Sequence, residues 1–364
     1  MSDNLLKSAE FNLFLIWYLL CNLIKAKGEA FIMRRTGKKI SLLGIAIIMI
    51  ACGKSTEQSS SEVSRSIFDQ VISQNSSGPS GGSSGSSTIL PSDIFAYTFA
   101  LSTNKSFFLI LKNGNSSGKT ELLSGSGWST LQKTILHQTD NDFDFIMSDY
   151  NGDGKDDLVC IKKNNTGTGL TEIHILDGAS QFRSWLLQTG IPLQTFTGGI
   201  EFEMADYNKD GKKDLYAIWK ENTGSGRTEV HIYSGADAFQ SRLLSIATIL
   251  HSTGKEFNFI VTDFTKDNIP DLIAVKKQGT GTNKTEIHVL NGATNFQHWI
   301  LQTGTILDPT QDNSDFYGFD YNNDGFIDII NLQKRWDGNA EHVYMNVLDG
   351  ADEFGRFLEK EKQF

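Results

Sequence analysis

Cysteine is scarce: the 364 residues hold three, Cys21, Cys52 and Cys160. So few thiols, spread so far apart, exclude a disulfide framework. Basic charge is also short. Lys and Arg number 33 against 43 Asp and Glu, for a net charge of −10. Without clustered cationic side chains to replace phosphate counterions, a nucleic-acid partner is excluded. The apolar run Ile40–Ala51 falls below the roughly 20 residues that a membrane-spanning helix needs. No clustered nucleophile, base or pair of catalytic carboxylates stands out. No catalytic residue is therefore assigned, and the chain is expected not to be an enzyme. What it has in quantity is apolar side chain, 39% of residues with 24 Phe, enough for a substantial core.

It also has a repeat. A nine-residue acidic segment occurs four times: Asp149-Tyr-Asn-Gly-Asp-Gly-Lys-Asp-Asp157, Asp206-Tyr-Asn-Lys-Asp-Gly-Lys-Lys-Asp214, Asp263-Phe-Thr-Lys-Asp-Asn-Ile-Pro-Asp271 and Asp320-Tyr-Asn-Asn-Asp-Gly-Phe-Ile-Asp328. Their first residues are spaced by 57. A period of that size means one supersecondary unit used several times. Each unit offers four short strand-like runs. In the clearest copy Phe143–Met147 enters the acidic segment and Leu158–Lys163 leaves it. Thr171–Leu176 follows a turn cluster at Asn164–Gly169, and Trp185–Gln188 closes the unit. Residues 93–140 read as a worn first copy without the acidic segment, as terminal repeats often are.

Four antiparallel strands per unit, repeated radially, make an all-β propeller. Five units over residues 91–364 are expected as blades at approximately 93–140, 141–197, 198–254, 255–311 and 312–364. An open stack, or a partial ring completed by a second chain, is the alternative. It leaves strand edges and blade faces uncovered.

Ahead of the repeats, Met33-Arg-Arg-Thr-Gly-Lys-Lys39 is basic, Ile40–Ala51 is apolar, and Ala51-Cys-Gly53 follows. That order is an export signal over 33–51. The small residue before Cys52 resembles a bacterial lipobox, which implies lipidation at Cys52. A plain signal peptide or short anchor is the other reading. Residues 1–32 place this signal mid-chain, so translation is expected to start at Met33. Residues 52–90, rich in Ser and Gly, behave as a flexible tether. Together these predict an extracytoplasmic, lipid-anchored protein of a bacterial cell envelope, at the outer membrane or surface.

The acidic segments point to a cation. Several carboxylates within nine residues repel one another unless one is present, and oxygen donors at positions 1, 3, 5 and 9 suit calcium. In the first loop Asp149, Asn151, Asp153 and Asp157 supply side-chain oxygens and Lys155 a backbone carbonyl. The second uses Asp206, Asn208, Asp210, Lys212 and Asp214, and the fourth Asp320, Asn322, Asp324, Phe326 and Asp328. The third keeps Asp263, Asp267 and Asp271 but has Thr265 at position 3 and Asn268 in place of Gly, so a degenerate site is expected. The alternative is a set of Asx-turns with solvated carboxylates.

The segment Met204–Leu215 resembles the FG-GAP and VCBS repeats of the integrin α-chain N-terminal propeller superfamily. The resemblance covers about 270 residues and recurs in all four acidic repeats. It implies a β-propeller with calcium between the first two strands of a blade. On this reading the protein is a calcium-binding binding or adhesion module with a protein or glycan ligand. A lectin using the recurrent Trp128, Trp185 and Trp299, otherwise blade-packing residues, is the alternative. A propeller-based polysaccharide-active enzyme is less favoured. The Glu–His pairs at Glu172/His174, Glu229/His231 and Glu286/His288 each sit on a separate unit and are expected not to converge on zinc.

Overall fold

The four strand-like runs of each repeat pair as an antiparallel meander, each strand bonded to the next in sequence. The computed structural model describes residues 97–101, 106–112, 118–124, 130–336 and 341–363. The expected start at Met33, the signal, Cys52, the tether and Trp128 lie outside the described residues. Blade 1 is β1 (Tyr97–Leu101), β2 (Phe107–Leu111), β3 (Lys119–Ser124) and β4 (Thr130–His137). Blade 2 is β5 (Phe143–Ser148), β6 (Asp157–Lys162), β7 (Leu170–Leu176) and β8 (Trp185–Gln194). Blade 3 is β9 (Ile200–Ala205), β10 (Asp214–Trp219), β11 (Arg227–Tyr233) and β12 (Arg242–His251). Blade 4 is β13 (Phe257–Thr262), β14 (Asp271–Lys276), β15 (Glu286–Leu290) and β16 (Trp299–Gly304). Blade 5 is β17 (Ser314–Phe319), β18 (Asp328–Trp336), β19 (Glu341–Leu348) and β20 (Phe357–Gln363).

The second strands show why the blades stand face to face. Leu158, Val159, Cys160 and Ile161 of β6 are all sealed from solvent. Leu158 and Cys160 pack toward blade 1, whereas Val159 and Ile161 pack toward blade 3. A strand covered on both faces carries an unbroken apolar run. Leu215–Ile218 and Leu272–Val275 follow the same rule. The outermost strands, such as β8, alternate exposed and half-buried positions because only their inner face has a neighbour.

Five apolar clusters fill five seams between blades. The seam between the chain's two ends is one of them: Phe99, Leu109 and Leu111 of blade 1 pack with Ile330, Leu332 and Val343 of blade 5. Lys334 of blade 5 lies 5.1 Å from the centre of the Phe99 ring. The same cation–π contact joins Lys112 to Phe145 and Lys220 to Phe259 across other seams. Five blades therefore close into a ring, and the open stack is excluded.

Four of the five seams are also plugged from the turn before a fourth strand. The segments Gly178-Ala-Ser-Gln-Phe182, Gly235-Ala-Asp-Ala-Phe239, Gly292-Ala-Thr-Asn-Phe296 and Gly350-Ala-Asp-Glu-Phe354 share one conformation, with the last two residues at positive φ. The four Phe rings are buried in the seam with the preceding blade. Phe182, Phe296 and Phe354 also accept, through their carbonyls, the N–H groups of Ile135, Ile249 and Ile306 on that blade. A left-handed Phe costs roughly 1–2 kcal/mol. Sealing its ring away from water contributes up to about 3 kcal/mol, which outweighs that strain.

The glycine that opens this turn has no room for a side chain. A Cβ on Gly235 would lie 2.0 Å from the Lys213 carbonyl oxygen. Gly235→Ala should therefore destabilise the protein by about 1–3 kcal/mol, or roughly 3–10 °C in melting temperature. Ala238, at φ +58°, is the opposite case. Ala238→Gly relieves a left-handed Cβ and should melt at or above the parent temperature. Thermal unfolding followed by circular dichroism checks both; equal losses in the two variants would contradict this account.

Candidate functional site

The acidic segments form the loops between the first and second strands of blades 2 to 5, all at one end of the ring. Their backbones match. Positions 4 and 6 are left-handed in every copy: Gly152 and Gly154, Lys209 and Gly211, Lys266 and Asn268, Asn323 and Gly325. Asn268 thus holds the glycine position without changing the loop, as Asn tolerates this region better than most residues. The first aspartate organises each copy. Asp149 Oδ1 accepts from the amides of Gly152 (2.8 Å) and Asp153 (3.1 Å), and its Oδ2 accepts from Gly154 (2.9 Å). Asp206, Asp263 and Asp320 accept the matching position-6 amides at 2.9, 2.8 and 2.9 Å. The fifth position receives the amide of the seventh, at Lys155, Lys212, Ile269 and Phe326, each 2.8 Å away.

The ninth position does something the sequence reading does not contain. Asp157, Asp214, Asp271 and Asp328 have no solvent exposure. One oxygen of each accepts the amide of Gly178, Gly235, Gly292 or Gly350, at 2.8–2.9 Å, in the turn that carries the Phe plug. The other oxygen accepts a loop amide, from Tyr150, Tyr207, Thr265 and Tyr321 respectively. Burial raises all four carboxyls above the ordinary value, against the pull of those hydrogen bonds.

The donors at positions 1, 3 and 5 are oxygens, the right kind for a hard cation. A carboxylate has about four lone-pair sites, so the amide bonds leave some open. The Asn151, Asn208 and Asn322 amides lie across the loop against Asp153, Asp210 and Asp324, at 2.8–3.1 Å. In the third loop the Thr265 hydroxyl turns inward and donates to Asp271 at 3.1 Å. That copy keeps the shape and loses an outward oxygen. Neighbouring loops touch: Lys209 donates to the Asp267 carbonyl (3.3 Å), and Lys266 sits 4.3 Å from the Phe326 ring centre. Among the described residues no three His, Cys, Asp or Glu side chains stand together as a ready metal-holding group.

A second polar centre, missed in the sequence reading, occupies the axis. The five first strands line a channel with a cavity of about 390 Å³. Near the start of those strands stand Asp144, Glu201, Asn258 and Asp315, at the same 57-residue spacing as the loops. Lysines follow the second strands at Lys112, Lys163, Lys220, Lys277 and Lys334, the last four again 57 apart. Lys163 pairs with Asp144 at 2.8 Å and Lys220 with Glu201 at 3.1 Å. Lysines also bridge forward across seams: Lys112 donates to the Phe143 carbonyl (3.1 Å) and Lys220 to that of Phe257 (2.7 Å). Glu201 in turn accepts from the Asn258 side chain (3.2 Å) and the Phe259 amide (2.8 Å). One pleat further along, Glu203 and Tyr317 face the same space as Ile146 and Ile260. Burial, reinforced by Glu201, holds the Glu203 carboxyl well above the usual range. Burial likewise raises Asp315 against Lys334 and Lys277, and lowers Lys112, Lys277 and Lys334. The period was visible in the sequence; what hid this ring is that strand-borne charges look like solvated faces until the strands turn inward.

The Glu–His pairs stay within their own blades, with His174, His231 and His288 at 3.3–3.5 Å from their glutamates. Trp185 and Trp299 lie beside His174 and His288 of the same blade. Trp299 remains 36% exposed, so it does not serve as buried inter-blade packing.

Residues 149–217 match the family model of the FG-GAP-like repeat. The chain is a β-propeller of five four-stranded blades, and the FG-GAP-like match covers blade 2 from its acidic loop to β10 of blade 3. No curated protein matches it. Among solved structures it is similar to an exo-β-1,3-galactanase from Phanerochaete chrysosporium, at 8% identity and TM-score 0.45, over 72% of this chain and 62% of that one. The chain thus spans less than two thirds of that galactanase. It is also similar to a putative exo-β-1,3-galactanase from Bifidobacterium bifidum, at 10% identity and TM-score 0.40, over 71% and 95%. A third is the catalytic domain of an α-L-arabinofuranosidase from Coprinopsis cinerea, at 11% and 0.42, over 72% and 90%. These matches correct the expectation that the chain is not an enzyme. No activity passes to this chain from likenesses at this level.

Glu203 yields a signed pH prediction. Its folded pKa lies above the ordinary 4.5, so its contribution is fully present below that value and is lost as pH rises through the folded pKa. Glu203→Gln cannot ionise. Its melting temperature should equal the parent's near pH 4 and exceed it increasingly toward pH 9. A difference that is constant with pH would refute the assignment.

Proposed function

We propose that this propeller is a calcium-stabilised binding module, exported and held at a cell envelope by a lipid on Cys52. The observation that carries the reading is the fourfold loop: the same order of oxygen donors on the same backbone, placed at one end of a rigid ring. In this reading Asp149, Asn151, Asp153, Asp157 and the Lys155 carbonyl hold one ion. Asp206, Asn208, Asp210, Asp214 and the Lys212 carbonyl hold a second, and Asp320, Asn322, Asp324, Asp328 and the Phe326 carbonyl a third. Asp263, Asp267 and Asp271, with Thr265 turned inward, make a weaker fourth. Calcium would offset the mutual repulsion of the loop carboxylates and stiffen the end of the ring. The module would present a protein or glycan ligand with a surface carried on that scaffold, as binding sites on loops generally are.

Thermal unfolding in millimolar calcium, in magnesium and in chelator tests the metal. A cation at ten times its dissociation constant stabilises by about 1.4 kcal/mol per site. Three sites predict a calcium-selective rise on the order of 10 °C. Asp149→Ala, Asp206→Ala and Asp320→Ala together should abolish it. Equal melting in all three solutions would leave the loops as hydrogen-bonded turns. For the anchor, Cys52→Ser should move the protein from the membrane to the soluble extracytoplasmic fraction; unchanged fractionation would count against lipidation.

A further inference from the structure

The axial channel carries polar groups that the ring's own pairing leaves over. Blades 2 and 3 complete their lysine–carboxylate pairs. Blades 4 and 5 break the pattern. Blade 4 has Asn258 where its neighbours have an acid, and its Lys277, only 6% exposed, donates no Nζ hydrogen bond to a described residue. Asn258 Oδ1 and Ser314 Oγ are buried without a partner. Asp315, Glu203 and Tyr317, half-buried on the channel wall, make no side-chain hydrogen bond among the described residues. These last groups act on one another through space: Tyr317 feels Asp315, Glu203 and Glu201, and Asp315 feels Lys334, Lys277 and Glu201. Polar groups that line a cavity and make no hydrogen bond to the protein are open to a ligand.

We infer that this cavity binds an uncharged, polyhydroxylated ligand, the end of a sugar chain, through Asp315, Glu203, Tyr317 and Asn258. Three arguments select that class. The set mixes acceptors (Asp315, Asn258 Oδ1) with a donor (the Tyr317 hydroxyl), and a hydroxyl group answers both at once. The charges nearly cancel: Asp144 and Glu201 are paired with Lys163 and Lys220, and burial disfavours ionisation of Glu203 and Asp315, so neither an anion nor a cation gains a clear attraction. The cavity, about 390 Å³, sits at the small end of the roughly 300–1,000 Å³ range of ligand sites. A ligand of one or two sugar rings is the appropriate size. The inference rests on the binding-module reading and names its site. It is independent of whether the loops hold calcium.

The test uses the full chain, with saturation-transfer NMR and titration calorimetry. The probes are galactose, glucose, arabinose and their disaccharides, with glucuronate and glucosamine as charged comparators. At least one neutral sugar should bind, and Asp315→Asn and Tyr317→Phe should each weaken it by about tenfold or more. Asn258→Leu provides a third channel variant should either fail to fold, as read by its melting temperature. Trp299→Phe should leave the affinity unchanged. Tighter binding of glucuronate or glucosamine would overturn the ligand class. Sugar binding that survives the channel variants but is lost in Trp299→Phe would overturn the location and leave the binding module standing. No binding by any sugar at millimolar concentration would overturn the inference, while the calcium-dependent melting shift would report separately on the metal.

Discussion

A carboxylate sealed from water must find its hydrogen bonds inside the protein, and much of this ring is organised around four that do. Asp157, Asp214, Asp271 and Asp328 each reach two backbone segments, the acidic loop and the glycine turn before the fourth strand. That turn drives a Phe ring into the seam with the preceding blade. One side chain therefore couples loop shape, blade curvature and blade-to-blade packing. Leaving such a group without partners costs several times what an exposed Asp would, so the loop and the turn are fixed as a pair.

The two ends of the ring treat charge differently. At the loop end the carboxylates lie near the surface and draw their support from local amides. At the other end charges are inside, and those of blades 2 and 3 find partners on their own blade or the next. That forward bridging makes the axial charges part of the closure of the ring. Where a repeat drifts, as at Asn258, the bridge fails and polar atoms are left over. Divergence between repeats thus marks where this scaffold departs from pure structure.

The sequence made the blades legible because a 57-residue period and four strand-like runs admit few arrangements. The loops were readable for the same reason: glycine at position 6 announces a left-handed turn, and Asn268 is an acceptable substitute. Four things stayed hidden. Lys209 and Lys266 are left-handed at position 4, where nothing in a lysine predicts it. Phe239 and its counterparts adopt the same region because a seam, distant in sequence, rewards the ring. Asp157 read as a ligand alone, since its tie to Gly178 spans 21 residues and exists only once the blade has curled. The channel ring failed for a related reason: a lysine ending a strand says nothing of whether that strand faces water or an axis.

Each blade takes all four of its strands from consecutive sequence, and the seam between the first and last blades is built from side chains of the same kinds as the other four. No blade described here is stitched together from opposite ends of the chain. Copy number in this lineage is therefore not locked by the termini. An unequal crossover of one period would insert or delete a cassette whose two faces, plug and axial charges arrive already matched to their neighbours, so rings of different size are within a single recombination event of this one.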